Sequence, residues 1–270
     1  MSISRREFLK IAGITTALGL GGATALDRLR GKLLEAAEYK RPEDALKAKH
    51  WAMVVDVGLL RSGEDYKRAI DACHRAHNVP NIGNPKDEVK WIWTDTYEHT
   101  FPGTGYKHMT EAVEEKPFLL LCNHCENPPC VKVCPTKATF KRKSDGIVMM
   151  DFHRCIGCRY CMAACPFGAR SFNWRDPRPF IKEETINKEF PTRAIGVVEK
   201  CNFCEERLAK GLMPACVEAV KDTGALLFGD LEDPESPVRE VLRSKFTIRR
   251  KPELGTQPSV YYVIGGSENA

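Results

Sequence analysis

Twelve cysteines in 270 residues constrain this chain more than any other feature: eleven fall in tight groups between positions 122 and 216, and only Cys73 stands apart. The groups read Cys122-x2-Cys125-x4-Cys130-x3-Cys134-Pro135, then Cys155-x2-Cys158-x2-Cys161-x3-Cys165-Pro166, then Cys201-x2-Cys204-x11-Cys216. Thiols two or three residues apart cannot mostly pair with one another without strain, but they can surround a metal. A framework of disulfides suits small domains with little core. This chain is 43% hydrophobic and long enough to bury a sizeable core of its own.

The second group has the spacing of the bacterial ferredoxin run, in which three thiolates wrap one [4Fe–4S] cluster and the fourth ligates its neighbour. Applied reciprocally, that rule assigns Cys122, Cys125, Cys130 and Cys165 to a first cluster, and Cys155, Cys158, Cys161 and Cys134 to a second. The third group supplies three ligands and no local fourth. Cys73 is the one cysteine left, so it completes a third cluster with Cys201, Cys204 and Cys216. Soft thiolates suit iron–sulfur chemistry, and a proline after the last ligand turns the chain away. Structural zinc is the competing reading, that of a zinc-stabilised structural protein. Zinc fingers, however, set their pairs a dozen or more residues apart. His124 and His153 beside the motifs read as neighbours of the ligands or as solvent-facing groups. With every iron saturated by four cysteines, no metal is open to substrate, and no nucleophile–base pair or phosphate loop stands out. The chain therefore reads as an electron carrier, not catalytic alone.

Charge gives no separate function. The formal net charge is +5, but each thiolate-bound cluster carries about −2, so three would bring the total to about −1. Nucleic-acid binding gains no support, and no zinc-finger or basic-helix pattern appears.

The amino terminus reads as an export address. Ser4-Arg5-Arg6-Glu7-Phe8-Leu9-Lys10 matches the twin-arginine pattern, with Arg5 and Arg6 as the pair that is read. An apolar run from Ile11 to Leu20 follows, and Ala23-Thr24-Ala25 suits cleavage after Ala25. The apolar run is too short for a confident span, and nothing else approaches 18 apolar residues. The expectation is a periplasmic or extracytoplasmic protein, peripheral and attached to the membrane through partners.

The rest divides into a linker at 26–49, a degenerate outer half with an insertion at 50–116, a two-cluster module at 117–193, an outer half completing the third cluster at 194–231, and an extension at 232–270. Trp51–Asp56 predicts a strand, and Asp65 or Glu64 a cap for a helix through Cys73 to His77. Residues 81–116 read either as a docking excursion or as a packed loop. Short apolar stretches at 117–121, 146–150, 194–198 and 225–228 alternate with the cysteine groups as an internal repeat. The tail predicts a helix capped by Ser236 with Pro237 at its first position, and a strand at 259–264. The expected fold is α+β, with tandem ferredoxin-like modules of short strands and helices wrapped around the clusters.

These residues, with Glu199-Lys-Cys-Asn-Phe-Cys204, Gly211, Pro214-Ala-Cys-Val-Glu218, Phe228-Gly-Asp-Leu231 and Pro258-Ser-Val-Tyr-Tyr262, resemble the polyferredoxin-type iron–sulfur subunits of the dimethyl-sulfoxide and polysulfide reductase family. The likeness runs from about residue 50 to 264. Within that family the chain is most similar to the exported subunits of DsrO type and of heterodisulfide-reductase-like (Hdr-like) menaquinol oxidoreductases. The family pairs four motifs to hold four clusters. The positions matching its fourth ligand set are Gly63, Tyr66, Ala69 and Val220, so all four thiolates are missing together and three clusters remain. The resemblance implies a subunit relaying single electrons between a quinone-interacting integral membrane subunit and a cytochrome c or other redox subunit. The alternative is the same relay serving a molybdopterin reductase or an uptake hydrogenase.

Overall fold

The computed structural model of the chain describes residues 42–104, 108–109 and 111–264. The export address at 1–25 and most of the linker lie outside the described residues. Strand β1, Trp51–Asp56, is buried along its whole length and lies at the centre of a three-stranded sheet, between strands at Leu226–Asp230 and Val260–Val263. It runs antiparallel to β8 (Leu226–Asp230), with Trp51 opposite Asp230, and parallel to β9 (Val260–Val263), with Met53 opposite Val260. Alternation along a strand sends successive side chains to opposite faces. Trp51, Met53 and Val55 therefore join the main core, while Ala52 and Val54 pack with Val238 and Val263 in a second, smaller one.

The other strands form three antiparallel pairs: β2 (Ile92–Asp95) with β3 (Phe118–Leu121), β4 (Thr139–Lys141) with β5 (Val148–Met150), and β6 (Ser171–Phe172) with β7 (Val198–Glu199). Helix α1, Gly63–Ala76, is the longest described helix. Its cap is Ser62 rather than Asp65 or Glu64. Asp65 is instead the third residue of a capping box, its amide donating to the Ser62 hydroxyl at 3.3 Å while its carboxylate accepts from the Ser62 amide at 3.1 Å. Four helices of one turn or little more serve the cysteine motifs: α2 (Pro129–Lys132), α3 (Tyr160–Ala163), α4 (Glu205–Leu208) and α5 (Ala215–Ala219). Helix α6, Pro237–Ser244, follows Ser236 as expected, but the Ser236 side chain makes no capping bond. The class is α+β.

The described part of the 81–116 stretch is packed at β2 and around Trp91, Ile92 and Phe101, and exposed at 83–86 and 102–104. It contributes β2, the buried Trp91 and Ile92, and Phe101. Phe101 packs edge-on to Phe118 and Tyr262 at centroid distances of 5.6 and 5.7 Å.

Candidate metal centres

All twelve cysteines are free thiols, and the fold gathers them in fours. Strand β3 delivers Cys122 directly. Pro128 and Pro129 start α2, where a missing amide hydrogen costs nothing, and α2 carries Cys130. Cys122, Cys125, Cys130 and Cys165 line one cavity together with Phe167 and Arg170. The Asp151 carboxylate accepts from the amides of His153 and Arg154 at 2.9 and 3.2 Å, a turn that brings the chain from β5 into Cys155. Cys155, Cys158, Cys161 and Cys134 line a second cavity with Ile156 and Arg159. Strand β7 leads into Cys201, α5 carries Cys216, and α1 carries Cys73. Burial, reinforced by Cys201, Cys204 and Cys216 close by, pushes the Cys73 thiol well up. These four, spread from position 73 to position 216 in the sequence, are therefore neighbours in space, and all are buried.

The first Cys-x2-Cys turn of each group has left-handed backbone just before its second cysteine: His124 at φ 43°, Gly157 at φ 71° and Phe203 at φ 56°. Only Gly157 takes that conformation at no cost, and any Cβ there would also run into the Gly196 carbonyl oxygen. His124 and Phe203 stack on each other at 3.7 Å, and both are almost fully buried, which offsets about 1–2 kcal/mol of backbone cost at each.

Donors converge on the sulfurs. The Phe203 amide donates to Cys201 Sγ at 3.4 Å, the Ala215 amide to Cys204 Sγ at 3.3 Å, and the Val198 amide to Cys155 Sγ at 3.5 Å. The buried Arg170 guanidinium donates to Cys130 Sγ at 3.0 Å and to Thr139 Oγ1 at 2.7 Å. Without metal, burial pushes the Cys125 thiol up to about 12 and Cys216 to about 11. Neutral thiols would thus sit where four thiolates are needed, and a cation-rich core binding all four is what reverses that preference. Cavities lined by four soft ligands, with amide hydrogens aimed at sulfur, fit [4Fe–4S] clusters.

The three sites stand in a row. Cys201 of the third feels Cys122 of the first, and Cys161 of the second feels Cys130 of the first, so the first site lies in the middle. Of the family positions without a thiol, Tyr66, Ala69 and Val220 are buried. The Tyr66 hydroxyl donates to the Pro117 carbonyl at 2.8 Å, and Gly63 is exposed at the start of α1.

Several site residues were not evident in the sequence. His77 stacks on Trp91 at 4.5 Å, approaches Cys73 Sγ at 3.7 Å through Nδ1, and pairs with Glu206 at 2.8 Å through Nε2. His77, Cys204 and Glu206 form the one set among the described residues that could hold a lone metal ion; Cys204 already belongs to the third group. Glu199 is fully buried, held by Arg193 at 2.7 Å, Trp91 Nε1 at 2.6 Å and Asn173 at 2.6 Å. Lys200 donates to the carbonyls of Val148 and Cys201 from a fully buried position. Glu199 and Lys200 sit in the Glu-Lys-Cys family motif, which was a signal; Arg170 had none. Neither histidine beside the motifs reaches a sulfur. His124 Nδ1 accepts from the Val148 amide at 3.1 Å, and His153 is exposed.

Fold and sites together define an iron–sulfur electron carrier. A family model described as a 4Fe-4S dicluster domain matches residues 116–179. The chain is 39% identical to the Hdr-like menaquinol oxidoreductase iron–sulfur subunit 1 of Archaeoglobus fulgidus, over 98% of this chain and all of that protein. It is 36% identical to the menaquinone reductase iron–sulfur cluster-binding subunit of Nitratidesulfovibrio vulgaris, over 79% of this chain and 88% of that protein. It is 47% identical to the B subunit of the polysulfide reductase of Wolinella succinogenes, over 53% of this chain and 64% of that one. The chain belongs to the family of iron–sulfur electron-transfer subunits of menaquinol, polysulfide and dimethyl-sulfoxide reductase complexes. The zinc reading falls with that membership.

Proposed function

We propose that this chain holds three [4Fe–4S] clusters in tandem ferredoxin-like modules. It then relays single electrons on the extracytoplasmic face of a membrane, between a quinone-interacting integral membrane subunit and a cytochrome c or other redox subunit. The observation that carries the reading is the gathering of twelve cysteines into three fours in a row, with none left over. Bound there, the clusters would supply reversible one-electron chemistry. The chain's part is to hold twelve thiolates, aim amide hydrogens at them and exclude water. Three clusters rather than four is supported by Tyr66, Ala69 and Val220, which are buried against neighbouring elements. A menaquinol complex is favoured over a molybdopterin reductase because, among full-length likenesses, identity to the menaquinol oxidoreductase subunit is 39%, against 34% to the B subunits of selenate and tetrathionate reductases.

Iron analysis with electron paramagnetic resonance tests the count. The expected values are about twelve irons in the wild type and about eight in Cys73→Ala, with one cluster signal lost. About sixteen irons, or an unchanged spectrum without Cys73, would sink it. Export rests on Ser4–Lys10, and peripheral attachment is supported by the absence, among the described residues, of a helix long and apolar enough to cross a membrane. Changing Arg5 and Arg6 together to lysine should strand cluster-loaded protein in the cytoplasm; normal export of that variant would refute the address.

A further inference from the structure

Large apolar side chains crowd the surface at one place. Ile156 is 67% exposed, Tyr160 61%, Ile195 60% and Trp174 48%; Ile156 lines the second cysteine site, and Tyr160 lies between its Cys158 and Cys161. Their loops touch: Gly157 lies against the Gly196 carbonyl and the Phe172 ring, and the Asn173 carbonyl accepts from the Gly196 amide at 2.8 Å. Tyr160 follows Arg159 in the chain. Arg159, itself left-handed at φ 63°, lays its guanidinium over the Trp174 ring at 4.6 Å and the Phe172 ring at 5.4 Å.

This is also where the protein thins over its metal sites. Cys134, Cys155 and Cys158 are only partly buried, whereas Cys73, Cys201, Cys204 and Cys216 are all buried. The second site is at one end of the row, as a port must be. Charge around the patch is uneven. The carboxylates nearest in the chain are engaged, Asp151 with Arg154 at 3.2 Å and Asp176 with Arg178 at 3.7 Å. Arg159 and Lys137, both exposed, have no carboxylate partner within ion-pair distance among the described residues. An apolar centre with unpaired cations at its edge is a transient-interface surface, with charge steering the encounter and apolar contact holding it.

We propose that Ile156, Arg159, Tyr160, Trp174 and Ile195 form the docking surface for a redox partner whose contact face is apolar at its centre and carries carboxylates opposite Arg159. The second site is then where electrons enter or leave. The inference rests on the cluster reading above. One electron crosses per encounter with no bond made or broken, the donor being oxidised by one electron and the second site reduced by one.

Flavodoxin, an acidic protein with an exposed flavin edge, is a suitable probe. Its binding in the oxidised form is read by calorimetry, with no electron moving. Cluster reduction by flavodoxin hydroquinone, which becomes the neutral semiquinone without a proton change, is read by stopped flow. Methyl viologen radical, which needs no docking, is the control. Arg159→Glu should weaken flavodoxin binding and slow its electron transfer about tenfold at low salt, with the difference closing at high salt. Arg159 lines the second site, so this variant is judged on the binding of oxidised flavodoxin and not on its viologen rate. Ile195→Ser lies outside every cysteine motif and changes no charge, and it decides the matter if Arg159→Glu fails to load iron; it should weaken flavodoxin binding at low and high salt alike and leave viologen rates unchanged. Unchanged flavodoxin affinity in a fully loaded variant, or an equal slowing of Ile195→Ser with viologen, overturns the docking surface. Low iron in the wild type would overturn the cluster reading instead.

Discussion

At the scale of single residues, the least exchangeable group outside the cysteines is Arg170. A guanidinium buried in a protein interior is costly unless its charge is met. Here it is met by sulfur: Cys130, Cys161 and Cys122 hold the Arg170 charge in place against burial, across the gap between the first and second sites. A fixed cation beside a cluster stabilises the more negative, reduced form, and a donor on sulfur does the same. Arg170→Met keeps an unbranched, flexible stem and removes both effects. Potentials of two clusters should fall, each on the order of 60 mV for a charge-assisted bond of about 1.5 kcal/mol, while the third stays put. A potentiometric titration followed by electron paramagnetic resonance reads this; a shift confined to the third cluster, or none, contradicts it. Arg170 was invisible in the sequence because it follows its motif by five residues and touches Cys130 only through a fold that brings forty residues of chain back on themselves.

Among elements, α1 decides the outer module. It presents Tyr66, Ala69 and Cys73 on one buried face, the spacing that puts residues three and four apart on one side of a helix. That face packs against α5, which carries Cys216 and ends at the buried Val220. Ala69 is fully buried, so Ala69→Leu should overpack the contact, cost about 1–3 kcal/mol and lift Cys73 away from its three partners. Iron should drop by one cluster before the protein unfolds; Lys67→Leu, on the exposed side of the same helix, should change neither. Retention of every cluster in Ala69→Leu would mean that α1 does not position Cys73. The helix itself was legible from Cys73 to its cap region, but its cap was not. Ser62, Glu64 and Asp65 all suit a cap, and only the reciprocal bonds single out Ser62. The central strand was legible to the residue, since a short apolar run closed by Asp56 has few uses other than a buried strand. The pairing of the short strands was not. Strands of two to four residues carry almost no periodicity, and their partners are set by loops that the cysteines tie.

At the scale of the molecule, stability is divided unevenly between two kinds of structure. The sheet β8-β1-β9 with α6 has its own apolar core, including Ala52, Val54, Val238 and Val263, and its other face shares the larger core with Cys73, Cys201 and Cys216. The segments 122–134 and 155–165 are different. Their regular structure is one helical turn each, α2 and α3, joined by loops with left-handed residues at His124, Lys137, Gly157 and Arg159. Helices so short are not stable alone, and only Cys130 and Cys161 of these turns are buried. Ligation is what fixes such loops, so free energy of cluster binding is folding free energy there. Stripping iron with a chelator under reducing conditions should therefore unfold the molecule in parts. Amides of 122–134 and 155–165 should exchange with solvent at once, while those of β1, β8 and β9 keep protection for far longer. Hydrogen exchange read by mass spectrometry on iron-loaded and iron-free protein gives both rates in one experiment. Equal loss of protection across the chain would mean that the sheet, too, depends on metal; equal retention would mean that the loops hold their shape without it.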